Sequence, residues 1–285
     1  MDSSTIFKIN KINKVKFQFI NKIYRYSNIL IWCISLFSSL SLFNVAMSQS
    51  KVLQVGEELN YTVNYGFIEI GNVTIKLTGK KTVGSNEIYT STCTMRSNKG
   101  IPFVDLNSNF ESEMLYNGNE LYTIRFKATE IKDDGKIEIE YKFHYDSNYV
   151  YVLKNNLGNI EIDKNIPFNN NVKFQDGLSL FFKSRLNSFS SDNFMIPVFM
   201  NESETSVNYY FNSQKEEIFV PVFDEDLNSF RCNGVANFEG VFGLSGEFAG
   251  WFSDDEARVP LKSQMNVIIG SVTLELISFK RNGWH

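Results

Sequence analysis

The chain has 285 residues, with 28 basic and 32 acidic residues and a formal net charge of −4. Six of the basic residues and one of the acidic residues lie in the first 48, so residues 49–285 carry 22 basic and 31 acidic residues and a net charge of −9. This acidity argues against nucleic acid as a partner and against electrostatic docking on an anionic membrane.

The first 48 residues have the pattern of a secretory signal peptide. The six basic residues precede an apolar run from Ile29 to Phe43, and the small residues Ala46 and Ser48 follow at the spacing of a cleavage site. We therefore predict a signal at residues 1–48 and a single β-rich domain at residues 49–285, exported to the periplasm or outer envelope. No transmembrane span would remain after cleavage. The alternative is a retained anchor, although an apolar run of about 15 residues falls short of the roughly 20 that cross a bilayer.

A change of phase marks the first predicted strand pair. Alternate residues from Leu59 to Tyr65 are apolar, the phase slips in the GFIEIGN stretch that follows, and Val73 then resumes the same face. Gly66 and Gly71 bracket this slip, which predicts a bend or a β-bulge between them.

The clearest predicted strand is KIEIEYKFHY, residues 136–145. Isoleucine, tyrosine and phenylalanine occupy one face, and lysine, glutamate and histidine occupy the other, as in a half-buried antiparallel strand. The preceding DDG at residues 133–135 predicts a tight hairpin turn, because Asp and Gly tolerate the backbone angles that such turns require.

One segment, QDGLSLFFKSRLNSF, departs from the strand pattern. Apolar residues from Leu178 to Leu186 fall at helical spacing, and Asp176 is placed to cap the first turn. We predict a helix over Gly177–Asn187. Many strands, short turns and one helix predict an all-β fold: a highly curved antiparallel sheet or open barrel, with the helix packed at its mouth or across its open face.

The residues exclude most catalytic chemistry. Residues 49–285 contain two histidines, His144 and His285, and two cysteines, Cys93 and Cys232. These do not make a Ser-His-Asp or Cys-His set or a zinc cluster, and the sequence contains no glycine-rich phosphate-binding motif. We predict a non-enzyme with no metal and no cofactor. The two cysteines either form a disulfide or are buried free thiols.

Paired carboxylates are the catalytic option that remains, because a glycosidase needs only two. Acidic clusters at residues 224–226 and 254–256 are the candidates. A hydrophilic turn is the simpler interpretation of the second cluster. The alternative is an ion pair that joins Asp254 or Asp255 to Arg258 or to Arg185 of the helix.

Three stretches together resemble the exported bacterial proteins grouped as domain of unknown function 3108. They are GEELNYTVNYGFIEIGNVTI at residues 56–75, DGLSLFFKSRL at residues 176–186 and WFSDDEARVPLKSQMNVIIGSVTLEL at residues 251–276. In the helix, Asp176, Leu178, Ser179 and Arg185 match the family pattern, whereas Phe182 stands where an aromatic residue with a hydroxyl is usual. The family has no agreed activity. The resemblance implies an envelope location and a curved sheet wrapped towards a helix, similar to the lipoprotein-carrier half-barrels that hold acyl chains.

We predict a non-enzymatic envelope protein that binds or carries an apolar ligand such as a lipid or an acyl chain. The alternatives are an envelope scaffold that binds a partner protein through a strand edge and, third, a carboxylate-based glycan hydrolase. The predicted ligand-binding residues are Phe181, Phe182, Arg185 and Trp251. The predicted structural polar cluster is Asp176, Ser179, Asp254, Asp255 and Arg258, with Arg185, Asp254 and Asp255 near the mouth of the cavity.

Overall fold

The computed structural model describes residues 51–101, 105–240, 245–266 and 270–284. The predicted signal segment, residues 1–48, lies outside the described residues. Among the described residues, no helix has the length and apolar character needed to cross a bilayer. The elements are β1 (Glu58–Tyr65), β2 (Ile68–Val83), β3 (Asn86–Ser97), β4 (Asn107–Tyr116), β5 (Leu121–Lys132), β6 (Gly135–His144), β7 (Tyr149–Asn156), β8 (Asn159–Pro167), α1 (Gly177–Asn187), β9 (Asn193–Met200), β10 (Ser203–Val220), β11 (Glu225–Ala236), β12 (Gly246–Ser253), β13 (Pro260–Asn266) and β14 (Ser271–Lys280).

All of these strands form one antiparallel sheet in which each strand pairs with its neighbours in the chain, except that β8 and β9 are the two edges. The chain runs outward from β1 to the edge strand β8, crosses through α1 to the opposite edge at β9, and returns to β14, which pairs with β1. The predicted all-β fold, a curved antiparallel sheet with one helix, is confirmed. The sheet is not closed, because β8 and β9 do not pair with each other.

The segment just before the helix covers the edge of β9. The amide of Gln175 donates to the carbonyl of Pro197 at 2.9 Å, and the carbonyl of Gln175 accepts from the amide of Phe199 at 3.0 Å. On the other side, the amide of Thr123 in β5 donates to the carbonyl of Phe174 at 3.0 Å. Residues 174–175 therefore lie between β9 and β5 and hold the sheet in its curved form, with the β9 edge paired.

The alternation and the turns agree with the prediction. In β6, Tyr141 and Phe143 are buried, and the residues that follow each of them are exposed. Lys132 pairs with Gly135, which leaves a two-residue turn of two aspartates between β5 and β6. The Asp-Asp pair is therefore part of a hairpin turn, as predicted.

The predicted bulge lies between β1 and β2. Val63 pairs with Gly71 and Asn64 pairs with Glu69, so Ile70 is the extra residue. A Cβ atom on Gly71 would lie 2.3 Å from the carbonyl oxygen of Arg96 on β3. Only glycine allows this close approach of two backbones, and the sheet can therefore bend at this point.

The sheet has two different ends. Because neighbouring strands are antiparallel, the turns after odd-numbered strands lie together at one end, which we call the β1–β2 end. The turns after even-numbered strands lie at the other end. Residues 51–57 and 281–284 flank β1 and β14 there, and Arg185 in the last turn of α1 contacts Glu57. We call this second end the helix end.

The two cysteines are free and buried, on β3 (Cys93) and β11 (Cys232). Burial raises the pKa of both thiols to about 12, so both are protonated at neutral pH. Of the two alternatives left open by the sequence, the buried thiols are the one observed.

Candidate functional site

A cavity of about 330 Å³ lies on the concave side of the sheet, between the first turns of α1 and strands β10–β14, with β1 and β2 at its margin. Half of the residues that the helix contributes to the cavity lining have aromatic or aliphatic side chains, and so do most of the residues that the strands contribute. The main apolar side chains of the lining are Leu180, Phe181, Phe238, Phe248, Phe252, Met265 and Leu274.

Most of the polar side chains of this wall already have partners within the protein. The hydroxyl of Tyr61 donates to the carbonyl of Pro260 at 2.9 Å, and the hydroxyl of Tyr209 accepts from the side-chain amide of Asn187 at 2.9 Å. Lys262 Nζ donates to a glutamate of β14 at 2.7 Å. Burial also raises the pKa of both tyrosines, so both remain neutral. The cavity therefore offers its occupant an apolar surface with few free polar groups.

Helix α1 packs one face against the main core and another against this cavity. Leu178, Phe182 and Leu186 are buried in the core cluster shared with β1–β3. Phe181, on the neighbouring face, is half-buried and lines the cavity. The structure therefore places Phe181 on the cavity wall and Phe182, which has no exposed surface, behind it.

Asp176 fixes the N-terminus of the helix onto β4 and β5. Its Oδ1 accepts from the amides of Leu178 at 2.7 Å and Ser179 at 3.1 Å, as an N-cap does. Its Oδ2 accepts from the hydroxyls of Ser112 at 2.5 Å and Thr123 at 2.7 Å. Burial raises the pKa of Asp176, and these hydrogen bonds oppose the rise without cancelling it. The structure thus brings the predicted pair Asp176 and Ser179 together.

Arg185 fixes the other end of the helix, with a partner that the sequence analysis missed. Its guanidinium makes two hydrogen bonds to Glu57, at 2.5 and 3.0 Å, and a third to the carbonyl of Ala257 at 2.9 Å. Arg281 donates to the same carboxylate, and both arginine–glutamate pairs are buried. The predicted partners, Asp254 and Asp255, do not contact Arg185, which lies at the helix end and off the cavity wall. The Gly-Glu pair in the stretch that resembles the family was the available signal for Glu57.

The acidic cluster after β12 organises its own turn. Asp255 Oδ1 accepts two backbone amides, two and three residues further along, at 2.7 and 3.1 Å, and its Oδ2 accepts Trp284 Nε1 at 2.8 Å. Asp254 contacts Lys215 at 2.5 Å and Arg258 Nη1 at 3.6 Å. Both interpretations of the cluster are therefore observed, a turn and an Asp254–Arg258 ion pair, and none of these residues lines the cavity.

Trp251 lies on the opposite face of β12 from Phe252. Its Nε1 donates to Glu216 at 3.0 Å, and the guanidinium of Arg231 lies 5.2 Å from the centre of its ring. Of the four predicted ligand-binding residues, Phe181 alone is in the cavity lining.

The acidic clusters also lack the arrangement of a metal site. In the described part of the chain, no group of three or more His, Cys, Asp or Glu side chains could hold a metal ion. The cluster at 224–226 lies at the β10–β11 turn, also off the cavity wall.

A second cavity of about 390 Å³ lies between β4–β6 and the end of β9. Aromatic rings, including Phe126 and Phe199, form much of its wall, and Glu130 and Glu239 add charge. Phe238 lines the first cavity and Glu239 lines the second, so the β11–β12 connection borders both.

Comparison with known proteins places this fold. No functionally curated protein matches the sequence. A β-barrel-like protein of the domain of unknown function DUF1849 from Brucella abortus has a TM-score of 0.51 at 7% identity, covering 81% of this chain and 99% of that chain. A Bacteroides fragilis protein, provisionally described as exported and with a YmcC-like fold, has a TM-score of 0.32 at 7% identity, covering 80% and 97%. A protein from Parabacteroides distasonis, provisionally described as a lipoprotein, has a TM-score of 0.33 at 8% identity, covering 80% and 96%.

At 7% identity the likeness to the Brucella abortus protein shows the fold alone. A family model, described as a protein of unknown function (DUF3108), matches residues 60–277 and therefore shows the family as well as the fold. That range includes α1, the β12–β13 turn and most of β14. The chain belongs to the DUF3108 family.

Proposed function

We propose that the protein binds an apolar ligand, a lipid or an acyl chain, in the 330 Å³ cavity, and that it acts as a binding or carrier protein of the cell envelope without catalysis of its own. The observation that carries the proposal is the cavity wall between α1 and β10–β14, where apolar side chains dominate and most polar side chains are already paired. Such a wall favours apolar occupants, because a bound water needs two to four polar partners.

The size of the cavity limits the ligand. An apolar protein cavity of about 150 Å³ binds benzene. A cavity of about 330 Å³ is roughly twice as large, so it accommodates on the order of a dozen carbon atoms. One acyl chain, or part of a longer one, fits this volume. The pattern of the first 48 residues supports an exported protein, in which such a ligand would come from envelope lipids.

The alternatives have less support. The β9 edge is paired with residues 174–175, and the remaining edge strand, β8, carries Glu161, Asp163 and Lys164. Charged residues on an edge strand discourage the addition of a partner strand. The acids of the proposed hydrolase are engaged in turns at the helix end, away from the cavity.

The first test is native mass spectrometry of the protein purified from an envelope fraction without detergent. We expect an additional bound mass that extracts into organic solvent as a lipid. A clean unliganded mass, together with no binding of a fluorescent fatty acid of about twelve carbons, would show that the cavity takes no apolar ligand and would end the proposal.

A cavity-filling variant tests the location. Ser184 is half-buried on the cavity wall and bonds only to a carbonyl of its own helix, Phe181, at 2.9 Å. We expect Ser184→Trp to weaken binding of the fluorescent fatty acid at least tenfold, because the indole occupies the ligand's space. Ser85→Trp, at an exposed turn of the helix end, is the matched control and should bind as the wild type does. If Ser184→Trp and Ser85→Trp both fold and bind the fluorescent fatty acid equally well, the ligand binds outside this cavity.

A further inference from the structure

The tip of the β1–β2 hairpin is apolar and projects from the sheet. Tyr65 pairs with Ile68, so the turn consists of Gly66 and Phe67. Gly66 has φ of +60°, and glycine at the first position of a two-residue turn is typical of a rigid type II′ hairpin. Phe67 exposes 99% of its surface and Ile68 exposes 48%.

Folding does not require an aromatic side chain at this position. The second position of such a turn accepts most residues, and Phe67 makes almost no contact with the described protein. A single exposed apolar residue is common on protein surfaces. Here Phe67 and Ile68 are adjacent at a projecting tip, and the neighbouring Tyr65 is also partly exposed. Leu157 and Ile160, at the β7–β8 turn of the same end, are exposed as well.

The two cavities extend towards this same end. Met265, on the wall of the first cavity, pairs with Val272 of β14, which pairs with Tyr65 of β1. Two strand spacings amount to about 10 Å, so the tip begins close to that wall. Met200, at the β9–β10 turn of this end, lines the second cavity. The last turn of the helix and its ion pairs lie at the opposite end.

We propose that the tip of the β1–β2 hairpin is a membrane-docking surface, in which Phe67 and Ile68 insert into the apolar region of a bilayer beside the two cavities. This proposal rests on the proposed function for its purpose: a ligand would pass between bilayer and cavity without crossing water. A protein partner would need a pocket that matches this projecting tip, whereas a bilayer deforms around an inserted side chain. We therefore favour a bilayer over a protein partner.

The charge of the protein specifies the kind of bilayer. Residues 49–285 have a net charge of −9, and Glu69 is exposed next to Ile68. Docking by electrostatic attraction to anionic lipids is therefore disfavoured. Insertion of an aromatic tip depends on buried apolar area, so we expect binding to zwitterionic vesicles that changes little with salt concentration.

The test is sedimentation with phosphatidylcholine vesicles. We expect Phe67→Ser to weaken binding about tenfold or more, the factor that corresponds to burial of one phenylalanine side chain. Phe219→Ser is the matched control, because Phe219 is 54% exposed on β10 at the helix end. It should bind as the wild type does. Both variants carry the same N-terminal residues, so a retained signal segment cannot produce a difference between them.

Equal binding by Phe67→Ser and Phe219→Ser would overturn the docking proposal, as would binding by the wild type to phosphatidylglycerol vesicles alone. The fluorescent fatty acid separates this proposal from the proposed function. Phe67→Ser should retain full affinity for the free fatty acid, because Phe67 is not in the cavity lining. Vesicle binding that depends on Phe67, without any fatty-acid binding, would support docking and reject the ligand proposal.

Discussion

Glu57→Ala is expected to lower the free energy of unfolding by about 3–5 kcal/mol, the cost of breaking a buried ion pair by removing one partner. The substitution leaves Arg185 and Arg281 buried without their shared counter-charge. Burial already lowers the pKa of Arg281, and Glu57 opposes that effect. Urea unfolding followed by tryptophan fluorescence measures the change, since Trp284 lies three residues after Arg281 at this end.

Two further variants make this result interpretable. Glu256→Ala removes an exposed carboxylate that pairs with Lys51 and should cost about 0–1 kcal/mol. The triple variant Glu57→Leu, Arg185→Met, Arg281→Met replaces the buried charges with apolar side chains and should recover much of the lost stability. Equal losses for Glu57→Ala and Glu256→Ala would show that the buried network does not hold the helix end together.

Asp176→Ala is expected to destabilise the protein by about 3 kcal/mol, the sum of a lost N-cap and of the Ser112 hydroxyl left buried without its acceptor. Asp176→Asn should be much milder, because its carbonyl can still cap the helix and the hydroxyls of Ser112 and Thr123 can rotate to accept from its amide. Urea unfolding of both variants gives the comparison. Equal losses would mean that the carboxylate charge, rather than the hydrogen bonds, is what the site requires.

The pH dependence of stability gives a second measurement on the same residue. Burial raises the pKa of Asp176 in the folded protein above its usual value of 3.8. The folded state therefore binds the proton more tightly than the unfolded state does. The contribution of Asp176 is complete below the usual pKa and is lost as pH rises through the raised pKa. The wild type should accordingly lose stability relative to Asp176→Asn over that range, and a constant difference would contradict the raised pKa.

Local patterns were sufficient to predict the helix, its cap, the bulge and the Asp-Asp turn. Each depends on residues within a few positions of one another, as with Asp176 and Ser179. Antiparallel pairing of neighbouring strands also follows from short turns. The partner of Arg185 could not be predicted in this way, because Glu57 lies 128 residues away in the chain.

The candidate site was harder to predict than the fold. Phe181 and Phe182 are adjacent and both apolar, so helical periodicity alone does not show which faces the core and which faces the cavity. The structure buries Phe182 and leaves Phe181 on the wall. For Trp251 the signal was present, since strict alternation along β12 puts it on the opposite face from Phe252.

The pairing of β1 with β14 has a consequence for how the chain folds. The centre of the sheet is built from the first and last strands, and the contact between Glu57 and Arg281 joins residues 224 positions apart. The two meanders, β1–β8 and β9–β14, consist of local hairpins that assemble quickly, whereas their junction must await the last strand. Contacts of such long sequence separation slow folding, because a large loop must close before they form. During synthesis β1 therefore keeps an unpaired edge until β14 has been made, and it is there that a chaperone has most to protect.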